Sequence, residues 1–74
     1  MICTINNFIC IKKGENSCMF KKTDLKGIHM YKAKIHSSIY LVIRCLDMSP
    51  FELEFSTLEE AIECFELIVT ELGK

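Results

Sequence analysis

The strand-to-helix junction that dominates the sequence reads Phe51-Glu52-Leu53-Glu54-Phe55-Ser56-Thr57-Leu58-Glu59-Glu60-Ala61. Over residues 51–55 apolar and acidic side chains alternate, and this period of two is typical of a half-buried β-strand whose carboxylates face water. Ser56 with Glu59, or Thr57 with Glu60, has the spacing of a capping box. The junction therefore predicts a strand that is followed at once by a helix.

The helix is predicted over about residues 57–72, and Gly73 stands where it would stop. Its apolar residues fall within about 120° of the helical wheel and form the face expected to lie on the core. They are Leu58, Ala61, Ile62, Phe65, Ile68, Val69 and Leu72. Leu67 projects from the opposite, acidic side, and Cys64 lies at its edge. Because so short a chain forms a marginal core, we expect a homo-oligomer in which Cys64 and Leu67 contact a second subunit.

Upstream of the junction the sequence reads as further strands. Residues 39–46 are almost continuously apolar, which is typical of a central strand covered on both faces. The turn Asp47-Met48-Ser49-Pro50 predicts a hairpin between this strand and residues 51–55. Weaker strand patterns cover residues 8–12, 18–22 and 28–35.

These elements predict an α+β fold in one domain, residues 1–74. The links are too short for parallel crossovers, so neighbouring strands are expected to be antiparallel. An antiparallel sheet of about five strands, within about residues 2–55, is packed by one C-terminal helix.

The net charge of −1 hides a division between the two parts of the chain. Residues 1–46 carry eight basic and two acidic residues, a charge of +6, whereas residues 47–74 carry eight acidic residues and one lysine, a charge of −7. Such an asymmetry bears on partners and association rather than on the fold. It predicts a basic sheet and an acidic helix that each show a solvated face, or else an acidic or anionic partner on the basic part.

Six side chains of the basic part are the candidate residues for binding a ligand or partner: Lys21, Lys22, Lys32, Lys34, Tyr40 and Arg44. Tyr40 and Arg44 share one strand parity, so a ring and a guanidinium on one face have the means to hold a nucleotide base and its phosphate. The alternative is structural: Tyr40 lies at the edge of the core, and Arg44 pairs with Glu52 or Glu54 on the neighbouring strand.

The sequence lacks the motifs of several functional classes. It contains no glycine-rich phosphate loop, no nucleophile elbow and no His-Glu-x-x-His pair, so we expect no enzyme. Its five cysteines are odd in number and include no Cys-x-x-Cys pair, which favours reduced thiols without a metal or cofactor. They are Cys3, Cys10, Cys18, Cys45 and Cys64. The start resembles no secretory signal and no apolar run reaches membrane-spanning length, so we expect a cytoplasmic protein without a membrane contact.

One resemblance to a known group can be stated. Residues 24–28, the strand 39–46 and the Phe-Ser-x-x-Glu-Glu-Ala junction with its helix resemble small bacterial and phage proteins of a pleckstrin-homology-like kind, over about 50 of the 74 residues. In that group a bent antiparallel sheet is closed by one C-terminal helix. The resemblance implies a half-barrel or open sheet, because the chain is short for a full barrel, and an adaptor, inhibitor or ligand-holding role. It transfers no functional residue.

Together these observations predict a small non-enzymatic binding protein. We expect a phage or mobile-element inhibitor or adaptor that acts by protein–protein contact on a host or defence protein. One alternative is an oligomeric sponge that sequesters a small anionic nucleotide signal. Another is an RNA-binding regulator, although the sequence pI of about 6.1 is low for a dedicated nucleic-acid binder.

Overall fold

The computed structural model describes residues 2–74 of the chain. It contains one α-helix and six strands: β1 (Ile2–Ile5), β2 (Phe8–Lys13), β3 (Asn16–Lys21), β4 (Leu25–Lys32), β5 (Ile39–Cys45), β6 (Phe51–Phe55) and α1 (Leu58–Leu72). A single 3-10 turn, Lys22–Asp24, joins β3 to β4. The α+β class and the C-terminal helix are confirmed.

The strands form two sheets rather than the single sheet of about five strands that was predicted. The first sheet has the order β1-β2-β3 and the second the order β4-β5-β6, with every neighbouring pair antiparallel. The prediction was wrong because the 3-10 turn redirects the chain after β3, so β3 and β4 do not pair. It also missed β1, a strand of four residues that pairs with β2 through a tight turn at Asn6 and Asn7.

The core lies between the inward faces of the two sheets and under the helix. Phe20 of β3 and Phe51 of β6 meet across the two sheets with ring centroids 6.5 Å apart. Two backbone hydrogen bonds, from Lys22 N to Asn7 O at 2.7 Å and from Leu46 N to Asp24 O at 2.8 Å, fix the ends of the sheets near the 3-10 turn. The fully buried side chains with the largest volume are Phe20, Ile9, Leu41, Ile43 and Ile68.

The fourth strand lies earlier in the sequence than predicted. It begins at Leu25 instead of Ile28 and ends at Lys32, so residues 33–38 form the connection to β5. The register shifts between Leu25 and Gly27, which marks a β-bulge at Lys26. Because of this bulge, a segment whose sequence favours a turn is accommodated within a strand.

The helix begins where the sequence predicted, and the structure selects one of the two possible caps. Thr57 is the N-cap: its Oγ1 accepts a hydrogen bond from the backbone N–H of Glu60 at 3.2 Å. The Glu60 side chain accepts in turn from the Thr57 hydroxyl at 3.2 Å. The first of these bonds satisfies the backbone N–H of Glu60, one of the donors at the helix start that have no partner within the helix.

The predicted inward face of the helix was wrong in part. Ala61 and Ile68 are buried, but Leu58, Ile62 and Val69 are 53%, 39% and 49% exposed. The buried face is rotated toward Cys64, which is half-buried against the core. We attribute the rotation to β1, since the helix packs against this unpredicted strand and Glu71 accepts a hydrogen bond from the Thr4 hydroxyl. Residues 2–74 include no helix with the length and apolar character to cross a bilayer.

Candidate functional site

The outer face of the second sheet carries two tyrosines and two glutamates in register. Tyr31 of β4 lies opposite Tyr40 of β5, which lies opposite Glu54 of β6. One step along the sheet, Val42 of β5 lies opposite Glu52 of β6. We call these five residues the tyrosine–glutamate face. Side chains alternate along a strand, so all five point away from the core.

The two tyrosine rings form a parallel stack. Their centroids are 5.3 Å apart and the ring planes differ by 19°. The Tyr31 hydroxyl donates to Glu52 Oε1 and the Tyr40 hydroxyl donates to Glu54 Oε2, each at 3.5 Å. These distances lie at the long limit for hydrogen bonds, so the carboxylates keep most of their capacity to accept further bonds.

The stack also explains why Val42 is buried on a face that points to solvent. To reach Glu52, the Tyr31 side chain crosses above β5, and Val42 beneath it is only 5% exposed. Tyr31 itself remains 44% exposed. The ring therefore shields an apolar side chain while presenting aromatic surface to the solvent.

The electrostatics of this face keep both phenols protonated. Desolvation and then the negative charge of Glu52 raise the pKa of Tyr31. Desolvation and then the charge of Glu54 raise the pKa of Tyr40. Both hydroxyls thus act as donors near neutral pH, and the face carries the charge of its carboxylates.

No basic side chain neutralises these carboxylates in the part of the chain that the structure describes. Neither Glu52 nor Glu54 forms an ion pair there, and the Arg44 guanidinium pairs with neither of them. Arg44 instead lines a shallow groove with Lys26, Asp47 and the turn before β6. The sequence-based alternative of an Arg44–glutamate pair was therefore wrong, while Tyr40 is half-buried, as expected at the edge of a core.

The candidate lysines lie at separate places in the fold. Lys21 ends β3 on the outer face of the first sheet, and Lys22 lies in the 3-10 turn, where its Nζ donates to the carbonyl oxygen of Lys74 at 3.2 Å. Lys32 and Lys34 lie at the far end of β4. A strand of this length separates the two pairs by about 25 Å, so the lysines do not form one cluster.

Cys64 and Leu67, the two candidate self-association residues, line one groove. The groove has a volume of about 370 Å³ between the helix and the turn of β2 and β3, and Phe55 lies at its base. Leu67 is 48% exposed and Cys64 is half-buried. Lys13 lies 4.9 Å above the Phe55 ring, and Glu60 and Glu63 line the helix side. Apolar surface and both signs of charge thus meet here.

Sequence reasoning did not bring Tyr31, Glu52 and Glu54 together in one site. The alternation of residues 51–55 did predict that both carboxylates face water. Glu54 lies beside Tyr40 through the register of β5 against β6. Glu52 reaches Tyr31 only because β4 also pairs with β5 in the observed register, across the connection 33–38. The length of that connection could not be inferred, because the sequence favours continuing β4 to residue 35.

Comparisons with protein-family models, with curated proteins and with solved structures found no match to this chain. The pleckstrin-homology-like resemblance stays a prediction. Function must therefore be inferred from the chemistry of the described surfaces.

The chemistry of the tyrosine–glutamate face suits a cation. Arginine and lysine are attracted to the faces of aromatic rings, and arginine also stacks on them. Carboxylates accept charge-assisted hydrogen bonds from either cation and paired bonds from a guanidinium. A phosphate group would instead meet two carboxylates that pair with no lysine or arginine within residues 2–74.

Proposed function

We propose that this protein is a non-enzymatic binding protein whose tyrosine–glutamate face holds an arginine- or lysine-bearing segment of a partner protein. The observation that carries the proposal is the Tyr31–Tyr40 stack on the outer face of the sheet, beside two carboxylates that form no ion pair within residues 2–74. The partner's cation lies over the tyrosine rings and bonds to Glu52 or Glu54. Binding then supplies the positive charge that this part of the fold lacks.

The expected strength of this contact is modest for one residue and useful for several. A cation over an exposed aromatic ring contributes about 0.5–1 kcal/mol. An exposed ion pair adds about 0.2–1 kcal/mol. Specific recognition therefore needs two or more basic residues, and paired carboxylates on one strand offer a site for each of them.

The proposed role is that of an inhibitor or adaptor that occupies a basic surface of a host or defence protein. A sponge for an anionic nucleotide would need lysine or arginine beside the aromatic rings. The side chains beside Tyr40 are Tyr31, Glu54 and His36. An RNA-binding regulator would need a continuous basic surface, and the lysines are dispersed over both sheets. Both alternatives are therefore less well supported than contact with a basic protein segment.

The chain offers a direct optical test of this proposal. It contains two tyrosines and no tryptophan, so its intrinsic fluorescence comes from Tyr31 and Tyr40 alone. We expect titration with an acetylated and amidated tri-arginine peptide to change this fluorescence in a saturable manner. The double variant Glu52→Gln with Glu54→Gln should abolish the change.

The matched control removes the same amount of charge from the helix. Glu59→Gln with Glu66→Gln lowers the negative charge by the same two units at exposed positions outside the groove of Cys64 and Leu67. This variant should keep the fluorescence response. Equal loss of the fluorescence response in both double variants would show that peptide binding depends only on the net charge of the chain, and the proposal would be rejected.

We also propose that the chain self-associates through the groove of Cys64 and Leu67. The supporting observation is that one groove presents apolar surface with Lys13 on one side and Glu60 and Glu63 on the other, so that a second copy can match it in charge. Sedimentation equilibrium of Leu67→Glu should show a lower mass than the wild type. Leu58→Glu is the control, because Leu58 is 53% exposed on the same helix but lies outside the groove. A monomeric wild type would exclude this interface.

A further inference from the structure

The outer face of the first sheet places three sulfur atoms in one row across its strands. Cys3 of β1 lies directly opposite Cys10 of β2, and Cys10 lies directly opposite Met19 of β3. We call these three residues the sulfur row. Because side chains alternate along each strand, the buried side chains Ile9, Ile11 and Phe20 point to the core and the sulfur row points outward.

The sulfur row is accessible and its two thiols are adjacent. Cys3 and Met19 are exposed and Cys10 is half-buried. Cys3 and Cys10 are directly opposed on paired strands, which places their side chains next to each other. A groove of about 310 Å³ follows the row, and Lys12 and Ser17 complete its lining on the outer face. Cys18 also lines this groove, but its side chain is buried on the inner face of the sheet. Cys45 is buried in β5, and Cys64 lies on the helix.

We propose that the sulfur row binds one soft monovalent metal ion of the Cu(I) class. The thiolates of Cys3 and Cys10 are the two main ligands, and the thioether of Met19 is the third. Binding one Cu(I) releases the two thiol protons and leaves a site with one net negative charge. No electron is transferred, since the ion enters and stays as Cu(I).

The ligand set points to this class of metal rather than to zinc or calcium. Thiolate and thioether sulfur are the ligands that select Cu(I), whereas structural zinc takes four ligands in a tetrahedral arrangement. The described residues contain no group of three or more His, Cys, Asp or Glu side chains that would complete such a shell. Calcium is excluded because it takes oxygen ligands.

The backbone brings the two thiols to the required spacing. Residues directly opposite in an antiparallel pair have Cα atoms about 4.5–5.5 Å apart. Two cysteines at this distance can turn both sulfur atoms toward one ion without moving the strands. The same spacing also permits a disulfide, so the metal must be offered to the reduced chain.

The test is a competition titration of the full chain under anaerobic conditions with a phosphine reductant. Cu(I) is supplied with a chromogenic chelator, and native mass spectrometry gives the number of ions bound. We expect one Cu(I) per chain. Even the loss of a group that only supports a metal ligand typically costs about 10–100-fold in affinity. Loss of a ligand in Cys3→Ser should therefore cost about 100-fold or more, and Met19→Leu should cost several-fold.

The control variant is Cys45→Ala, which removes a buried thiol of β5 outside the sulfur row and should bind Cu(I) like the wild type. Cys3 is the preferred site for substitution, because its side chain is exposed and its loss leaves the core intact. Circular dichroism of each variant confirms folding. No bound copper in the wild type, wild-type affinity in Cys3→Ser, or equal loss in Cys45→Ala would each overturn the proposal.

Discussion

Tyr31 and Tyr40 stack across β4 and β5 with ring centroids 5.3 Å apart, and each hydroxyl reaches a different glutamate of β6. This relationship joins all three strands of the second sheet through side chains on its solvent face. It also shields Val42, which would otherwise be an exposed apolar residue. The same contacts thus serve stability and present the surface that we propose to be functional.

The tyrosine stack should show measurable coupling in stability. In a double-mutant cycle of Tyr31→Leu and Tyr40→Leu, we expect a coupling free energy of about 0.5–1.5 kcal/mol, the usual value of an aromatic pair beyond its buried area. Urea unfolding, followed through the circular dichroism of the helix, gives the unfolding free energy of the wild type, the two single variants and the double variant. Additivity of the two single changes within about 0.3 kcal/mol would contradict the stack.

The helix cap gives a second prediction about stability. Thr57→Ala should lower the free energy of unfolding by about 1 kcal/mol, because the backbone N–H of Glu60 loses its partner. Ser56→Ala is the matched control and should change it by less than about 0.5 kcal/mol. If Ser56→Ala proved the more destabilising of the two, the cap would have been assigned to the wrong residue.

How much of this fold can be predicted from sequence depends on how local its signals are. The junction of β6 and α1 is encoded by adjacent residues: strict alternation over 51–55, then a hydroxyl and a glutamate three residues apart. The central strand β5 is equally clear, because its apolar run has few other interpretations. These elements were predicted nearly to the residue.

The missed features depend on contacts between distant parts of the chain. Strand β1 has only four residues, and its partner β2 supplies the evidence that it is a strand. The pair Asn6-Asn7 is a turn signal in the sequence that could have revealed this hairpin. In the structure Asn6 adopts a φ of 54°, a conformation that asparagine tolerates better than most residues. The helix is rotated because it packs against β1. Since the prediction did not include β1, the exposed positions of Leu58, Ile62 and Val69 could not be inferred.

In the candidate site, too, local sequence patterns could be interpreted, whereas contacts between distant residues could not. Tyr40 was selected because it shares its strand parity with Arg44, and both do lie on the outer face of β5, but no contact joins the two side chains. Residues that are far apart in sequence, Tyr31 and Glu54, take that place because of the sheet register. A parity argument gives the face of a residue, whereas register between strands decides its neighbours.

The cysteines should differ sharply in reactivity. Burial and, to a lesser degree, the neighbouring thiols raise the pKa of Cys18 to about 11. At pH 8 only about one Cys18 in a thousand is then a thiolate. Brief treatment with iodoacetamide, followed by peptide mass spectrometry, should modify exposed Cys3 and leave Cys18 intact. Rapid modification of Cys18 in the folded chain would show that the core is open at β3.

Glu71 should make stability depend on pH in acid. Its hydrogen bonds with Lys74 and then with Thr4 lower its pKa below the ordinary 4.5. A carboxyl group with a lowered pKa stabilises the fold above its unfolded pKa, and this stabilisation is lost as the pH falls through the folded pKa. The wild type should therefore exceed Glu71→Gln in unfolding free energy at pH 7, and the gap should close toward pH 3.

The control for this pH series is Glu66→Gln, an exposed position on the same helix. The difference in unfolding free energy between Glu66→Gln and the wild type should change little between pH 7 and about pH 3. A gap for Glu71→Gln that stays constant with pH, or widens in acid, would contradict the assigned hydrogen bonds.

The most direct test of the proposed binding face is an NMR titration of the ¹⁵N-labelled chain with the tri-arginine peptide, with a tri-glutamate peptide as the control. We predict that the amide shifts caused by tri-arginine concentrate at Tyr31, Tyr40, Val42, Glu52 and Glu54, and that tri-glutamate leaves these residues unchanged. Shifts confined to the acidic helix face at Glu59, Glu63 and Glu66, or no shifts at all, would contradict the account.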